Sequence, residues 1–321
     1  MKTLYLFGNG FDIAHGINTS YSSFRSFLND HHEEFLASFE KMYDILPLDD
    51  TEPWYTEEAQ KKWEDSVIND LWKSFEEKIG YPNVNEMHDF AESLLDGMPT
   101  EGIKDTLDDY WHEEYAFSES FQKYVQEWLE TIDTSVATVK KSSLVKNTAD
   151  FFINFNYTDT LERVYCINNV LHIHGSVSAC GIDPPIMGHG NKYLIDLYRR
   201  KAAEAQQEFI EWEESICNAI ADYCEKLYKD TEKIIKANDQ YFSDLYDVDQ
   251  VICLGLSFGD VDIPYLTRIM HEIKSTTKWI IYYYDSTAYE RLKSVFGILG
   301  ISRTFETYFL PSESFWDKSS T

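Results

Sequence analysis

The sequence predicts an α/β protein built on a Rossmann-like parallel sheet that carries two large helical insertions. Three observations predict it. Met1-Lys2-Thr3-Leu4-Tyr5-Leu6-Phe7 is an apolar run with no polar face, and it enters Gly8-Asn9-Gly10-Phe11-Asp12, a turn rich in residues that tolerate positive φ. From Asp150 onward short apolar runs alternate with helical patterns, which calls for right-handed crossovers and hence a parallel sheet. Those runs are apolar throughout, as strands are when helices cover both faces.

Taken in order, the opening strand and its Gly-x-Gly turn lead to a helix, with His15-Gly16-Ile17-Asn18-Thr19-Ser20 as a loop. Residues 21–45 carry Tyr21, Phe24, Phe27, Leu28, Phe35, Leu36 and Phe39 at helical spacing. Pro47 and Pro53 interrupt, and residues 57–79 form a second helix with Trp63, Val67, Leu71, Trp72 and Phe75 on one stripe. After Pro82 a shorter helix spans 84–95, broken by Gly97-Met98-Pro99 and Gly102. A long acidic helix is expected over 106–146. Phe151-Phe152-Ile153-Asn154-Phe155 and Val170-Leu171-His172-Ile173-His174 read as strands, with a helix over 160–165 between them. Residues 184–190 are a loop or short strand, and helix returns over 195–237. Val251-Ile252-Cys253-Leu254 is a strand that turns at Gly255, followed by a helix over 263–274, a strand over 279–284, a helix over 288–296 and a strand over 303–309. The expected organisation is one domain, with its α/β core in 1–30, 149–193 and 246–310 and helical insertions in 47–148 and 194–245. Residues 317–321 are expected to fray.

Composition narrows the function. The formal net charge of −28, from 56 acidic and 28 basic side chains, argues against broad electrostatic binding to nucleic acid or to an anionic membrane. The five cysteines, Cys166, Cys180, Cys217, Cys224 and Cys253, form no Cys-x-x-Cys pair and suit a reducing compartment. No run is apolar enough to span a bilayer and no signal peptide is visible, so a cytoplasmic protein is expected.

In open parallel sheets ligands bind outside the carboxyl ends of the strands, and polar clusters recur at those positions here. They are Gly8 to Asp12, Asn154 to Asp159, His172-Ile173-His174-Gly175-Ser176, and Gly255-Leu256-Ser257-Phe258-Gly259-Asp260-Val261-Asp262. Polar strand ends are not needed for packing, so together they predict a polar pocket. The opening turn is an incomplete dinucleotide fingerprint, because Ile13 stands where a third Gly or Ala belongs.

The order of these motifs resembles the sirtuin-type NAD-binding fold over the α/β core. Over nearly the whole chain, Leu6 to Gly16, Phe155-Asn156-Tyr157-Thr158, His172-Ile173-His174-Gly175, Gly188-His189-Gly190 and Leu256-Ser257-Phe258-Gly259 resemble the abortive-infection AbiH family. The resemblance implies an antiphage protein that binds NAD or a related nucleotide and hydrolyses the nicotinamide–ribose bond. It implies His174 as general base and Asn156 as the group that positions ribose and water. Gly8, Asn9, Gly10, Asp12, Tyr157, Asp159, Gly175, Ser176, Gly255 and Ser257 would contact the nucleotide. Two features depart from the sirtuin pattern. Thr158 stands where an Asp is usual, with Asp159 next, and the four-cysteine zinc module is missing, which points away from deacylation. Expected partners are a small-molecule nucleotide, with a second copy of the chain or a defence-system protein as further candidates, and no resident metal is expected.

Plainer readings stand beside these. Asn156 can be a turn former, His174 a hydrogen-bonded structural histidine, and Asp12 either a helix cap or a ribose contact. Asp260 and Asp262 read as residues favoured by a helix N-terminus. A different chemistry is also open: His172 and His174, two apart on a strand, share a face and with His189 or Asp12 could hold a metal for a hydrolase or nuclease. A non-catalytic nucleotide sensor is the third class.

Overall fold

The structure is a computed structural model that describes residues 1–49, 51–52, 55–95, 103–145, 149–177 and 184–316. Pro53, the glycine and proline break at 97–102, Lys146, Cys180 and residues 317–321 lie outside the described residues. The chain divides into two compact units, one formed by 1–20, 126–186 and 230–321 and the other by 21–125 and 187–229.

The first unit holds a six-stranded, all-parallel sheet: β1 (Thr3–Phe7), β2 (Phe151–Asn154), β3 (Val170–His172), β4 (Gln250–Leu254), β5 (Lys278–Tyr283) and β6 (Glu306–Pro311). Their order is β3-β2-β1-β4-β5-β6, the doubly wound order, so the predicted α/β class and parallel sheet are what the chain forms. β1 lies in the middle of the sheet, with Leu4 against Phe151 on one side and Val251 on the other. Successive side chains of a strand point to opposite faces, and both faces of β1 are covered. Leu4 and Leu6 join Ile153, Val251, Cys253, Trp279, Tyr265, Ile269 and Phe296 in one core. Phe7 joins Phe152, Leu254, Phe11, Leu161 and Tyr165 in the other. Each fully buried side chain of this size contributes roughly 1.5–3 kcal/mol, which is why β1 has no polar alternation.

Several elements differ from the sequence expectation. The opening Gly-rich segment is not a separate turn, because Asn9–Ala14 is already helical, with extended Gly8 as its N-cap. β3 stops at His172, and Ile173 and His174 lie in the turn that follows, so the two histidines do not share a strand face.

The helix expected over 21–45 is two, Tyr21–His31 and Glu33–Lys41, parted at His32, whose ring stacks on Tyr124. Residues 57–79 form the helix Glu57–Asp70, then a 3₁₀ turn and the short helix Phe75–Lys78. The acidic stretch over 106–146 is likewise interrupted, giving Ile103–Glu114 and Phe121–Glu130 with a 3₁₀ turn between them. Residues 195–237 form Lys192–Glu208, Glu211–Lys226 and Thr231–Ala237, the first break falling at Phe209, whose φ is +60°. The strand expected over 303–309 starts later, at Glu306, because Ile301–Thr304 is a helical turn. Of these breaks only the last carries a boundary residue, Gly300 at a φ of +74°, and a 3₁₀ turn keeps apolar residues close enough to helical spacing to hide itself.

The second unit is helical. Its core is aromatic: Trp72 stacks on Phe75 at 4.6 Å, and Phe24, Phe39 and Phe121 surround the pair. An ion pair lies within it. Arg25 donates from Nε to Glu40 Oε1 (2.7 Å) and from a terminal nitrogen to Oε2 (3.1 Å), and Trp72 Nε1 donates to the same carboxylate at 2.7 Å. Among the described residues no helix is long and apolar enough to cross a membrane.

Candidate functional site at the carboxyl ends of the strands

The strand order reverses between β1 and β4, and the loops that leave these two strands are joined backbone to backbone. Gly8 N–H donates to the Leu254 carbonyl (3.0 Å), and Gly10 N–H donates to the Gly255 carbonyl (3.0 Å). Gly255 has a φ of +72°, and a Cβ there would lie 2.5 Å from Phe11 N. A Cβ on Gly8 would lie 2.6 Å from the Gly255 oxygen, and one on Gly10 would lie 2.6 Å from the Gly255 Cα. The three glycines therefore permit two backbones to meet, a physical requirement that stands whatever else binds at this end of the sheet.

Asn156 is brought into the same cluster. It follows β2, is buried, and donates its Nδ2 to the Gly8 carbonyl at 3.0 Å. Its own N–H donates to Asn154 Oδ1 (3.1 Å), and Asn154 Nδ2 donates to the Thr158 carbonyl (3.2 Å). The Asn-x-Asn spacing thus ties the loop after β2 to the loop after β1.

Asp12 neither caps its helix nor faces solvent. Its carboxylate is fully buried and accepts Thr158 Oγ1 at Oδ2 (2.7 Å) and Thr160 Oγ1 at Oδ1 (2.8 Å). Thr158, the departure from the sirtuin pattern, is thereby a donor to Asp12. Burial pushes the Asp12 carboxyl up to about 6, against the two threonine hydrogen bonds that favour its charged form. By linkage, below the unfolded value of 3.8 the group is protonated in both states and costs nothing; the cost grows as pH rises to about 6 and is complete above it. Asp12→Asn is therefore expected to be at least as stable as wild type at pH 7, with a gain of up to about 3 kcal/mol. It should also lose part of the stabilisation that wild type shows on acidification. Urea unfolding of both proteins at neutral and mildly acidic pH checks this, and an asparagine variant weaker at neutral pH with an unchanged acid response would contradict it.

The remaining predicted contacts are distributed around this cluster. Asn9 accepts a hydrogen bond from the Thr19 hydroxyl. Tyr157 donates its hydroxyl to the Ile186 carbonyl (3.3 Å), while its own carbonyl accepts the Ser176 hydroxyl (3.2 Å). Gly175 has a φ of +78°, which turns the chain after His174. Asp159 accepts the Thr134 hydroxyl at 3.1 Å and makes no side-chain cap on the helix Thr160–Tyr165. Ser257 is exposed in the loop after β4.

His174 is buried among rings. Phe155 meets it edge-on at 5.4 Å, Tyr265 lies at 5.6 Å and Tyr157 at 6.2 Å. Its Nε2 is 3.9 Å from Asp262 Oδ1. Three other histidines, His172, His15 and His189, have hydrogen-bonding neighbours. His172 Nε2 is 2.6 Å from Glu162 Oε1. His15 Nδ1 donates to the Phe11 carbonyl (2.7 Å), leaving Nε2 to accept the Tyr165 hydroxyl (2.7 Å). In the helical unit His189 Nε2 donates to the Cys224 carbonyl (3.0 Å) and Nδ1 accepts the Asn191 N–H (3.0 Å), and burial pushes its imidazole down to about 4. Among the described residues no three His, Cys, Asp or Glu side chains are grouped to hold a metal ion.

Sequence reasoning missed Thr160, His15, Tyr265 and the placement of Asp262. A buried Asp12 needs donors, and the Thr-x-Thr after β2 is the signal that could have supplied the first of these. The others depend on which loops the topology brings together.

The profile of the family described as bacteriophage abortive infection AbiH matches residues 4–283. No curated protein and no solved structure matches the chain. The match spans β1 to β5 and includes every candidate residue above, and the chain belongs to the AbiH family.

Proposed function

We propose that this protein serves phage abortive infection, as its family implies, through an α/β unit that binds NAD or a related nucleotide and hydrolyses the nicotinamide–ribose bond. The observation that carries the reading is the doubly wound strand order, with Gly8, Gly10, Gly255 and Asn156 gathered where that order reverses. Breaking the bond develops positive charge on the sugar and needs a group that takes a proton from the attacking oxygen. His174 is the residue for that task and Asn156 the one that orients the nucleophile. Loss of NAD would then arrest the infected cell.

The test is NAD consumption by the purified chain and by cells under phage challenge, for wild type and for His174→Ala. Removal of a general base lowers a rate by about 10²–10⁴-fold, so the variant should retain little turnover. Equal consumption by both proteins, or none by either under challenge, would sink the catalytic reading. A second reading, nucleotide binding without turnover, is favoured by the burial of both Asn156 and His174 and by the engagement of the Asn156 amide with Gly8. Nucleotide retained by the purified protein without nicotinamide release would support it. The metal-dependent alternative loses its premise, since β3 ends at His172 and His172 faces Glu162.

A further inference from the structure

The two edges of the sheet differ. β3 has three residues and so offers little edge to pair, whereas β6 runs for six, and among the described residues no strand lies beyond it. The middle of β6, Thr307-Tyr308-Phe309-Leu310, holds neither a charge nor a proline, two of the devices that keep an edge from pairing with another chain. Its two faces differ as well. On one, Phe309 joins Trp279, Ile281 and the helix Ser286–Ile298, which contributes Leu292 and Phe296. Tyr308 and Leu310 point to the opposite face, opposite Ile280 and Tyr282 of β5 in register, and stay 42% and 37% exposed. Charge on this stretch is balanced. Lys278 and Glu306 pair at 3.0 Å, and residues 278–311 carry four basic side chains against three acidic ones, in a chain whose net charge is −28.

We propose that β6 is the pairing edge of a homodimer, in which two copies of the chain join β6 to β6 about a two-fold axis and form one continuous sheet. The charge balance selects the occupant. Over most of the surface two copies set acid against acid, but at this edge they meet without that penalty, and a strongly basic or acidic partner finds no matching charge there. A two-fold axis normal to the sheet sets the strands antiparallel and keeps like face beside like face, so residues opposite one another share a face. The pairing is then centred on a residue, Tyr308 or Phe309. With Tyr308 at the centre it meets its own copy and Glu306 lies opposite Leu310; with Phe309 at the centre Tyr308 lies opposite Leu310. Either register holds the two Glu306 carboxylates apart and gives the exposed Tyr308 and Leu310 a cross-strand neighbour.

The experiment is sedimentation velocity of the full chain from about 1 to about 100 µM, where a monomer–dimer equilibrium is expected. Added salt should tighten the dimer, because it screens the overall charge that opposes it. Tyr308→Lys and Leu310→Lys each bring two ammonium groups near the axis and should weaken association at least about tenfold. Tyr246→Lys makes the same charge change at an exposed site in the 3₁₀ turn before β4 and should leave the dimer intact. Hydrogen exchange gives a readout that needs no variant: the amides of residues 307–310 should be better protected in the wild-type dimer than in the monomer. A wild-type monomer at every concentration, a dimer untouched by both edge variants, or β6 amides equally protected in both states overturns the proposal. So does growth beyond the dimer, since a two-fold pairing of one edge closes on itself.

Discussion

Gly255→Ala is expected to destabilise the sheet unit by about 2–5 kcal/mol. Two costs combine. A φ of +72° is strained for any residue with a Cβ, and the new methyl would lie 2.5 Å from Phe11 N and 2.7 Å from the Gly10 carbonyl carbon. Non-glycine residues in that region cost on the order of 1–3 kcal/mol, and overpacking adds a similar amount. The neighbour is backbone held between β1 and β4, so it cannot rotate aside as a side chain could. Gly297 supplies the contrast. It lies within the helix Ser286–Ile298 and an added Cβ meets nothing within 4 Å, so Gly297→Ala should be neutral or stabilising by up to about 1 kcal/mol. Urea unfolding followed by circular dichroism compares the two, and a Gly255 variant as stable as wild type would refute the account of the glycine cluster.

In the helical unit the largest effect is expected at Glu40. Glu40→Ala leaves the Arg25 guanidinium and the Trp72 indole N–H without their shared acceptor, in a place where neither reaches water easily. Removing one partner of a buried pair costs about 3–5 kcal/mol, most of it the penalty of the charge left behind. The Arg25 side chain also lies over the Trp63 ring, 5.5 Å from its centroid, so its displacement would disturb a second aromatic contact. The exposed pair of Arg199 with Asp222 is the internal comparison. Both its side chains are more than a third exposed, and such pairs contribute roughly 0–1 kcal/mol. Thermal unfolding of Glu40→Ala beside Asp222→Ala tests the difference, and similar midpoints would contradict it.

The sheet was legible in the sequence because its strands are buried on both faces. A continuous apolar run such as Leu4-Tyr5-Leu6-Phe7 followed by Gly8 carries its meaning locally. So do Val251-Ile252-Cys253-Leu254 and the Gly255 after them. The helical boundaries were less legible, since His32 and Phe209 end helices without any residue that propensity recognises as a breaker. The polar site divides in the same way. Asn156, Gly8 and Gly255 belong to separate motifs that the strand order brings together, and their grouping could be inferred from a parallel sheet alone. The 3.9 Å approach of Asp262 to His174 could not be read from sequence, because an Asp before a helix is explained well enough as a cap. His172 and His174 misled for a related reason: alternation holds only while the strand lasts, and β3 is three residues long.

The position of β1 between β2 and β4 also bears on how the chain is made. Leu4 is synthesised well before either of its lateral partners, Phe151 on one side and Val251 on the other. At about 5–20 residues per second, the second partner emerges on the order of 10–50 s after β1. Until then β1 is an apolar strand with at least one open edge, the kind of segment that pairs with other chains when left uncovered. The middle of the sheet therefore cannot close until most of the chain has been made, and its topology makes synthesis a period of exposure to aggregation.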